Sequence, residues 1–150
     1  ITITGLQGDR INGAMKVEYI GEGQPQIDVN INGDNGSNYT YQRLIANTSS
    51  VTSSTSTISS FRLCQEVSNG TSTASMWIYT KSGQNRPVLT ENYQHSVSIE
   101  KLASWWNNTA DEINRIDINA SNTNTITGTI RISVPKGTKM ASPSAILTVN

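Results

Sequence analysis

The segment Ile27-Asp-Val-Asn-Ile-Asn-Gly-Asp-Asn-Gly-Ser-Asn-Tyr-Thr-Tyr-Gln-Arg-Leu44 runs strict apolar/polar alternation into a turn and straight out into alternation again. Side chains of an extended strand alternate between its faces. Ile27, Val29 and Ile31 therefore share one face, and Asp28, Asn30 and Asn32 share the other. Asn32-Gly33 and Asn35-Gly36 supply the residue types that accept positive φ in tight turns, and Tyr39, Tyr41 and Arg43 then resume the alternation. The pattern predicts a β-hairpin with one buried and one wet face.

The same punctuation continues along the chain. Strands are expected at 1–4, 14–20, 26–31, 39–45, 57–66, 74–80, 87–92, 96–102, 114–120, 125–134 and 145–149. Turn clusters separate them at 5–13, 21–23, 32–36, 69–70, 81–83 and 121–124. In the late strand, Ile126, Ile130, Ile132 and Val134 alternate with Thr127, Thr129, Arg131 and Ser133. Gly128 interrupts the apolar row, where a bulge or a close neighbour is expected. Val51 to Ser60 is nearly pure Ser/Thr, an exposed loop or edge strand. Thr109-Ala-Asp-Glu112 fits a capping box, but alternation resumes so soon that it supports only a single helical turn or a tight loop into a strand.

These elements define an all-β fold, an antiparallel sandwich or barrel of short strands. The 150 residues suffice for one domain, 1–150, with its own two-layer core. Ser, Thr, Asn and Gly dominate the polar positions, which favours strands and turns over helix interiors. Eleven basic and eleven acidic residues cancel, so there is no electrostatic footprint for nucleic acid or an anionic membrane. No apolar run reaches membrane-spanning length, so membrane insertion is not expected. The first residue, Ile1, is not methionine, which points to a processed product or part of a longer chain.

Chemistry-bearing motifs are sparse. His95 is the sole histidine and reads as a turn residue. No G-x-S-x-G, H-E-x-x-H or phosphate loop occurs, and no motif proposes a nucleophile with its base. Cys64 is the sole cysteine, so no intrachain disulfide forms and no thiolate cluster assembles; it reads as a small buried apolar side chain. Asp34-Asn-Gly-Ser-Asn38 resembles the start of a calcium loop, but Thr40 to Leu44 carries no closing carboxylate, and a turn held by Asp and Asn side chains is the better reading. A non-enzymatic protein without metal or cofactor is expected. The Asn-x-Ser/Thr triplets are expected by chance at this composition and carry no inference of glycosylation.

Aromatic residues offer the binding candidates. Trp77 and Tyr79 share one face of a strand whose other face holds Ala74, Met76 and Ile78; one face must be core, leaving the other for stacking or a subunit contact. Trp105-Trp106 precede Asn107-Asn108, and Tyr39 and Tyr41 follow Asp34 and Asn38. Sugars present apolar CH faces and polar rims, so Tyr39, Tyr41, Trp105, Trp106, Asp34 and Asn38 are candidate glycan contacts. The structural alternative sends one tryptophan into the core and leaves the other half-exposed.

Five segments carry a family resemblance: Ile3-Thr-Gly-Leu-Gln-Gly-Asp9, Asn32-Gly-Asp-Asn-Gly-Ser-Asn-Tyr-Thr-Tyr-Gln-Arg43, Thr80-Lys-Ser-Gly83, Trp106-Asn-Asn-Thr-Ala-Asp-Glu-Ile113 and Gly128 to Gly137. In that order they resemble a β-rich module of tailed-bacteriophage virion proteins, found in tail or head fibres and related surface components. The resemblance covers residues 1–137 and rests on turn-and-strand signatures, not catalytic ones. It implies a jelly-roll-like β-sandwich at the virion surface, often a homotrimer, with Trp77 and Tyr79 available for subunit contact. Residues 138–150 lie beyond the pattern, as an added strand or an arm to a neighbour.

The expected function is that of a non-enzymatic virion surface module: a fibre, spike or capsid-decoration part that contacts other virion proteins and, in a receptor-binding role, host-surface polysaccharide. A carbohydrate-binding module of a secreted bacterial enzyme is the alternative. A glycoside hydrolase or lyase fragment is the third class and needs paired carboxylates in a groove.

Overall fold

A computed structural model describes residues 1–11, 13–22, 26–65, 70–94, 98–121 and 125–135, and the backbone of 145–149. His95, Asn69 and most of 138–150 lie outside the described residues. The strands are β1 (Thr2–Thr4), β2 (Ala14–Glu22), β3 (Ile27–Ile31), β4 (Tyr39–Asn47), β5 (Val51–Ile58), β6 (Phe61–Cys64), β7 (Thr71–Tyr79), β8 (Arg86–Gln94), β9 (Ser98–Trp106), β10 (Arg115–Ala120), β11 (Gly128–Ser133) and β12 (Ala145–Val149). Every pairing among them is antiparallel.

Two sheets result, one ordered β1-β10-β3-β6 and the other β12-β11-β2-β7-β8-β9-β4-β5. If the β7–β9 meander counts as one crossing and β11 and β12 are set aside, the sheets run first-eighth-third-sixth and second-seventh-fourth-fifth. That is the strand order of a jelly roll. Three strands stand where a jelly roll has its seventh, and an odd number leaves the chain travelling in the direction the next crossing requires. The C-terminal segment adds a strand, since Ala145–Val149 pairs with Gly128–Ile132 of β11.

The expected hairpin is a correction. β3 pairs with β10 and β6 in the small sheet, whereas β4 pairs with β9 and β5 in the large one, so Ile27–Leu44 turns a corner between layers. The turn chemistry is nevertheless present. Asn32 and Gly33 have φ of 54° and 70°, and Asp34 N–H bonds the Ile31 carbonyl at 2.9 Å. Two positive-φ residues inside a four-residue turn are the geometry of type I′. Here, however, four further residues, Asn35 to Asn38, intervene before the chain extends again in the other sheet. The strand expected at 57–66 is likewise broken at Ser59-Ser60, and its halves enter opposite sheets as β5 and β6.

The core lies between the sheets. Met15, Val17 and Tyr19 of β2 and Met76 and Ile78 of β7 face Ile27, Val29 and Ile31 of β3, Phe61 and Leu63 of β6, and Ile116 and Ile118 of β10, all buried. Gly128 marks a close approach: a Cβ there would lie 2.3 Å from the Ile20 carbonyl oxygen of β2, and its φ is 139°. Cys64 is buried as expected, and burial pushes its thiol up to about 11.

One inward row is ionic. Glu100 of β9, 1% exposed, bonds Arg43 of β4, receives Asn92 Nδ2 at 3.3 Å, and has Arg62 Nη1 at 4.0 Å. Arg43 also bonds Gln65. Removing the carboxylate strands two guanidinium groups at the margin of the core. Glu100→Ala is expected to destabilise the fold by about 3–5 kcal/mol in urea unfolding, far more than Lys101→Ala on the opposite face of the same strand.

Candidate functional site

Four of the five segments that carry the family resemblance converge at one end of the sandwich. Leu6 and Gly8 N–H groups bond the carbonyls of Asn114 and Ile113, Gly83 N–H bonds Thr109, and Asn107 N–H bonds Asn38. Side chains complete the seam. Asp9 accepts from Ser82 N–H and Oγ, both at 2.6 Å, and Asn32 Nδ2 bonds the Glu112 carbonyl at 2.8 Å.

The cluster turns on Asp34. Its carboxylate accepts Trp106 Nε1 at 2.8 Å, Gly36 N–H at 2.9 Å and Asn38 Nδ2 at 3.0 Å. Burial raises the pKa of this carboxyl, but the bonds from Trp106, Gly36 and Asn38 outweigh it and hold the group below the usual aspartate range. The Asp34 backbone carbonyl in turn accepts Tyr39 Oη at 2.9 Å and Asn30 Nδ2 at 3.0 Å. Burial pushes the Tyr39 hydroxyl up to about 12. The turn reading of Asp34 to Asn38 thus describes the geometry, since the carboxylate is committed to protein donors.

Arg86 holds the neighbouring loops. Its guanidinium, 1% exposed, bonds the carbonyls of Lys81 and Asn108 at 3.2 and 2.7 Å and that of Asp111, and lies 5.0 Å from the Trp106 ring centroid. Nothing in the spacing of the sequence marked Arg86, because a buried arginine that serves loop carbonyls has no local pattern. Of the two outcomes expected for Thr109–Glu112, a helical turn or a tight loop into a strand, the loop forms, without the capping-box bonds. Asn108 Oδ1 receives the N–H groups of Ala110 and Asp111, no helix forms, and Glu112 instead accepts Asp9 N–H at 3.2 Å.

This geometry sorts the candidate glycan contacts. Tyr39 is 0% and Trp106 1% exposed, with their rings stacked 6.4 Å apart and Phe61 edge-on to Tyr39 at 4.8 Å, so neither offers a face to a ligand. Both are core residues, which corrects their assignment as contacts. Trp105 is half-exposed on the outer face of the large sheet, and Tyr41 lies on the inner side of β4. Opposite faces of one sheet separate them, so they cannot grip one sugar together. The tryptophan pair follows the structural alternative, one ring inside and one half-exposed.

Trp77 and Tyr79 stand on the outer face; of the two faces that the alternation separated, the one with Met76 and Ile78 is in the core. Around them lies a feature no single segment revealed. All the exposed large hydrophobic residues among the described ones, Ile20, Leu44, Val51, Tyr79, Leu89, Tyr93 and Ile99, at 42 to 67% exposure, come from β2, β4, β5, β7, β8 and β9 and point outward from the large sheet. A concavity of about 970 Å³ on this face runs from Trp77 and Tyr79 past Leu89 and Lys101 to Thr55. Two ion pairs lie on the face, Lys16–Glu18 at 2.6 Å and Lys101–Glu91 at 2.8 Å, and Lys16 Nζ sits 5.2 Å from the Trp77 ring centroid. No group of three or more His, Cys, Asp or Glu gathers for a metal ion among the described residues. No protein-family model, curated protein or solved structure matches the chain.

Asp34→Ala leaves Trp106 Nε1 and the Gly36 and Asn38 donors without their acceptor, and is expected to cost about 1.5–3 kcal/mol of stability. Because the carboxyl pKa is lowered in the fold, its contribution is complete above about pH 4, the range of an unfolded aspartate, and is lost as pH falls through the folded value. The stability gap between wild type and Asp34→Asn, followed by urea titration, is therefore expected to be constant near neutrality and to close in acid.

Proposed function

We propose that this chain is a non-enzymatic structural module of a tailed-bacteriophage virion surface, a fibre, spike or capsid-decoration part that assembles as a homotrimer and contacts other virion proteins. The observation that carries this reading is the outer face of the large sheet. Contiguous exposed apolar surface is rare on monomers and marks places where proteins meet. Leu44, Leu89, Ile99, Val51 and Ile20 are aliphatic, the chemistry of a protein contact more than of a sugar platform, and Lys16, Glu18, Lys101 and Glu91 are already paired within one chain. The turn-and-strand resemblance to virion modules supplies the setting. The loop end supports a particle component in another way, since Asp34, Asp9 and Arg86 are spent on holding its loops together, leaving a fixed cap.

Sedimentation equilibrium at micromolar concentration tests the assembly. The wild-type chain is expected at three times the mass of the Leu89→Lys and Tyr79→Lys variants, both of which alter exposed side chains and leave the fold intact. A wild-type chain that sediments as a monomer sinks the trimer.

The concavity favours a second reading, a glycan site. Trp77 and Tyr79 beside Gln42, Glu91 and Lys101 pair aromatic surface with hydrogen-bonding groups, as host-surface polysaccharide or the ligand of a carbohydrate-binding module from a secreted bacterial enzyme would need. Tyr79→Ala is expected to abolish a glycan-array signal on this reading. A signal that survives the substitution, or no signal from the wild type, removes it.

A further inference from the structure

The large sheet ends in an edge unlike the others. β5 is eight residues long, against three for β1, four for β6 and five for β12. Among the described residues only one side of it is paired, to β4 over Tyr39–Ala46. In an antiparallel strand half of the backbone N–H and C=O groups point to each side, so β5 offers a row of them outward. Proteins guard such edges with charges, prolines, bulges or shortness. Val51-Thr-Ser-Ser-Thr-Ser-Thr-Ile58 has no charge, no proline and no register shift against β4, and Val51 to Thr57 are exposed.

We propose that β5 is a pairing edge and that its occupant is β5 of a second copy of this chain, added antiparallel across a two-fold axis normal to the sheet. Such an axis keeps the outer faces of both copies on one side, which admits only registers centred on a residue. Centred on Thr55, the axis pairs Thr55 with Thr55, Ser54 with Ser56 and Ser53 with Thr57. Centred on Ser54, it pairs Ser54 with itself, Ser53 with Thr55 and Thr52 with Ser56. These central pairs are hydroxyl against hydroxyl, a favourable cross-strand match, and the outermost pair sets Thr52 against Ile58 in the first register and Val51 against Thr57 in the second. A foreign strand would be chosen by charges or side-chain pockets, and β5 has no charge to choose with. Its own copy needs neither. The interface also makes the apolar outer faces of two copies continuous, while remaining separate from any contact made on those faces.

Lysine at Ser54, on the inner side of the edge and exposed, places like charges beside the axis in either register and leaves the outer face untouched. The wild-type chain is expected at twice the mass of Ser54→Lys by sedimentation, both in the wild-type background and in Leu89→Lys. A second measurement does not rely on charge. Thr55→Cys or Ser54→Cys is expected to form a covalent dimer on mild oxidation, whereas Val51→Cys is not, its two copies lying more than about 20 Å apart. Buried Cys64 does not compete. Equal masses for wild type and Ser54→Lys, with neither central cysteine crosslinking faster than Val51→Cys, overturn the proposal. A wild-type chain with the same mass as Leu89→Lys but twice that of Ser54→Lys overturns the outer-face trimer and leaves the edge pairing standing; a threefold ratio to Leu89→Lys without the doubling does the reverse.

Discussion

One carboxylate joins the two layers of this sandwich where the chain crosses from one to the other. Asp34 leaves the small sheet at the end of β3, receives the indole N–H of Trp106 from β9 in the large sheet, and through its own carbonyl holds the hydroxyl of Tyr39, the first residue of β4. The bonds cost little to keep, because the donors are fixed by strands already paired to one another, and removing the acceptor leaves partly buried donors that water cannot fully serve. Tyr39, Trp106 and Phe61 then pack as one aromatic group at the mouth of the core. Arg86 lies over Trp106 and ties three loop carbonyls to it, so the loop end is assembled around this group.

The consequence for function is a division of labour between the end and the face. At the loop end the polar side chains in the described seam are turned on the protein itself, which makes that end a brace. On the outer face of the large sheet the reverse holds. Aliphatic and aromatic side chains remain exposed on strands that are rigid because their inner faces are packed. A rigid apolar face binds without the ordering cost that a loop surface carries. The inserted β8–β9 hairpin widens this sheet, and it supplies Leu89, Tyr93 and Ile99 to the face.

Particular residues show how far local pattern could reach. The parity of Ala74 to Tyr79 was legible, and Met76 and Ile78 are core while Trp77 and Tyr79 face out. Gly128 was legible as a close approach, which the Ile20 carbonyl makes. Glu100 was harder, because Ile99-Glu100 invites the isoleucine inward; only the register with Leu102 and the guanidinium of Arg43 explain why the carboxylate is the buried one. Tyr39 and Trp106 looked like ligand contacts because aromatic residues beside asparagines do not announce which layer will cover them.

The sequence by itself determined the β class, the faces of most strands and the places where the chain turns, since period-two alternation and turn residues act over a few neighbours. Only the tertiary structure decided partners. Ile27–Leu44 has the alternation and turn of a hairpin, yet its two arms bond to strands far along the chain, β10 and β9, because burying both apolar faces at once requires a second layer between which the chain must step. The same long-range choice buried Trp106, exposed Leu89 and left β5 at an edge, and none of these is a property that adjacent residues can encode.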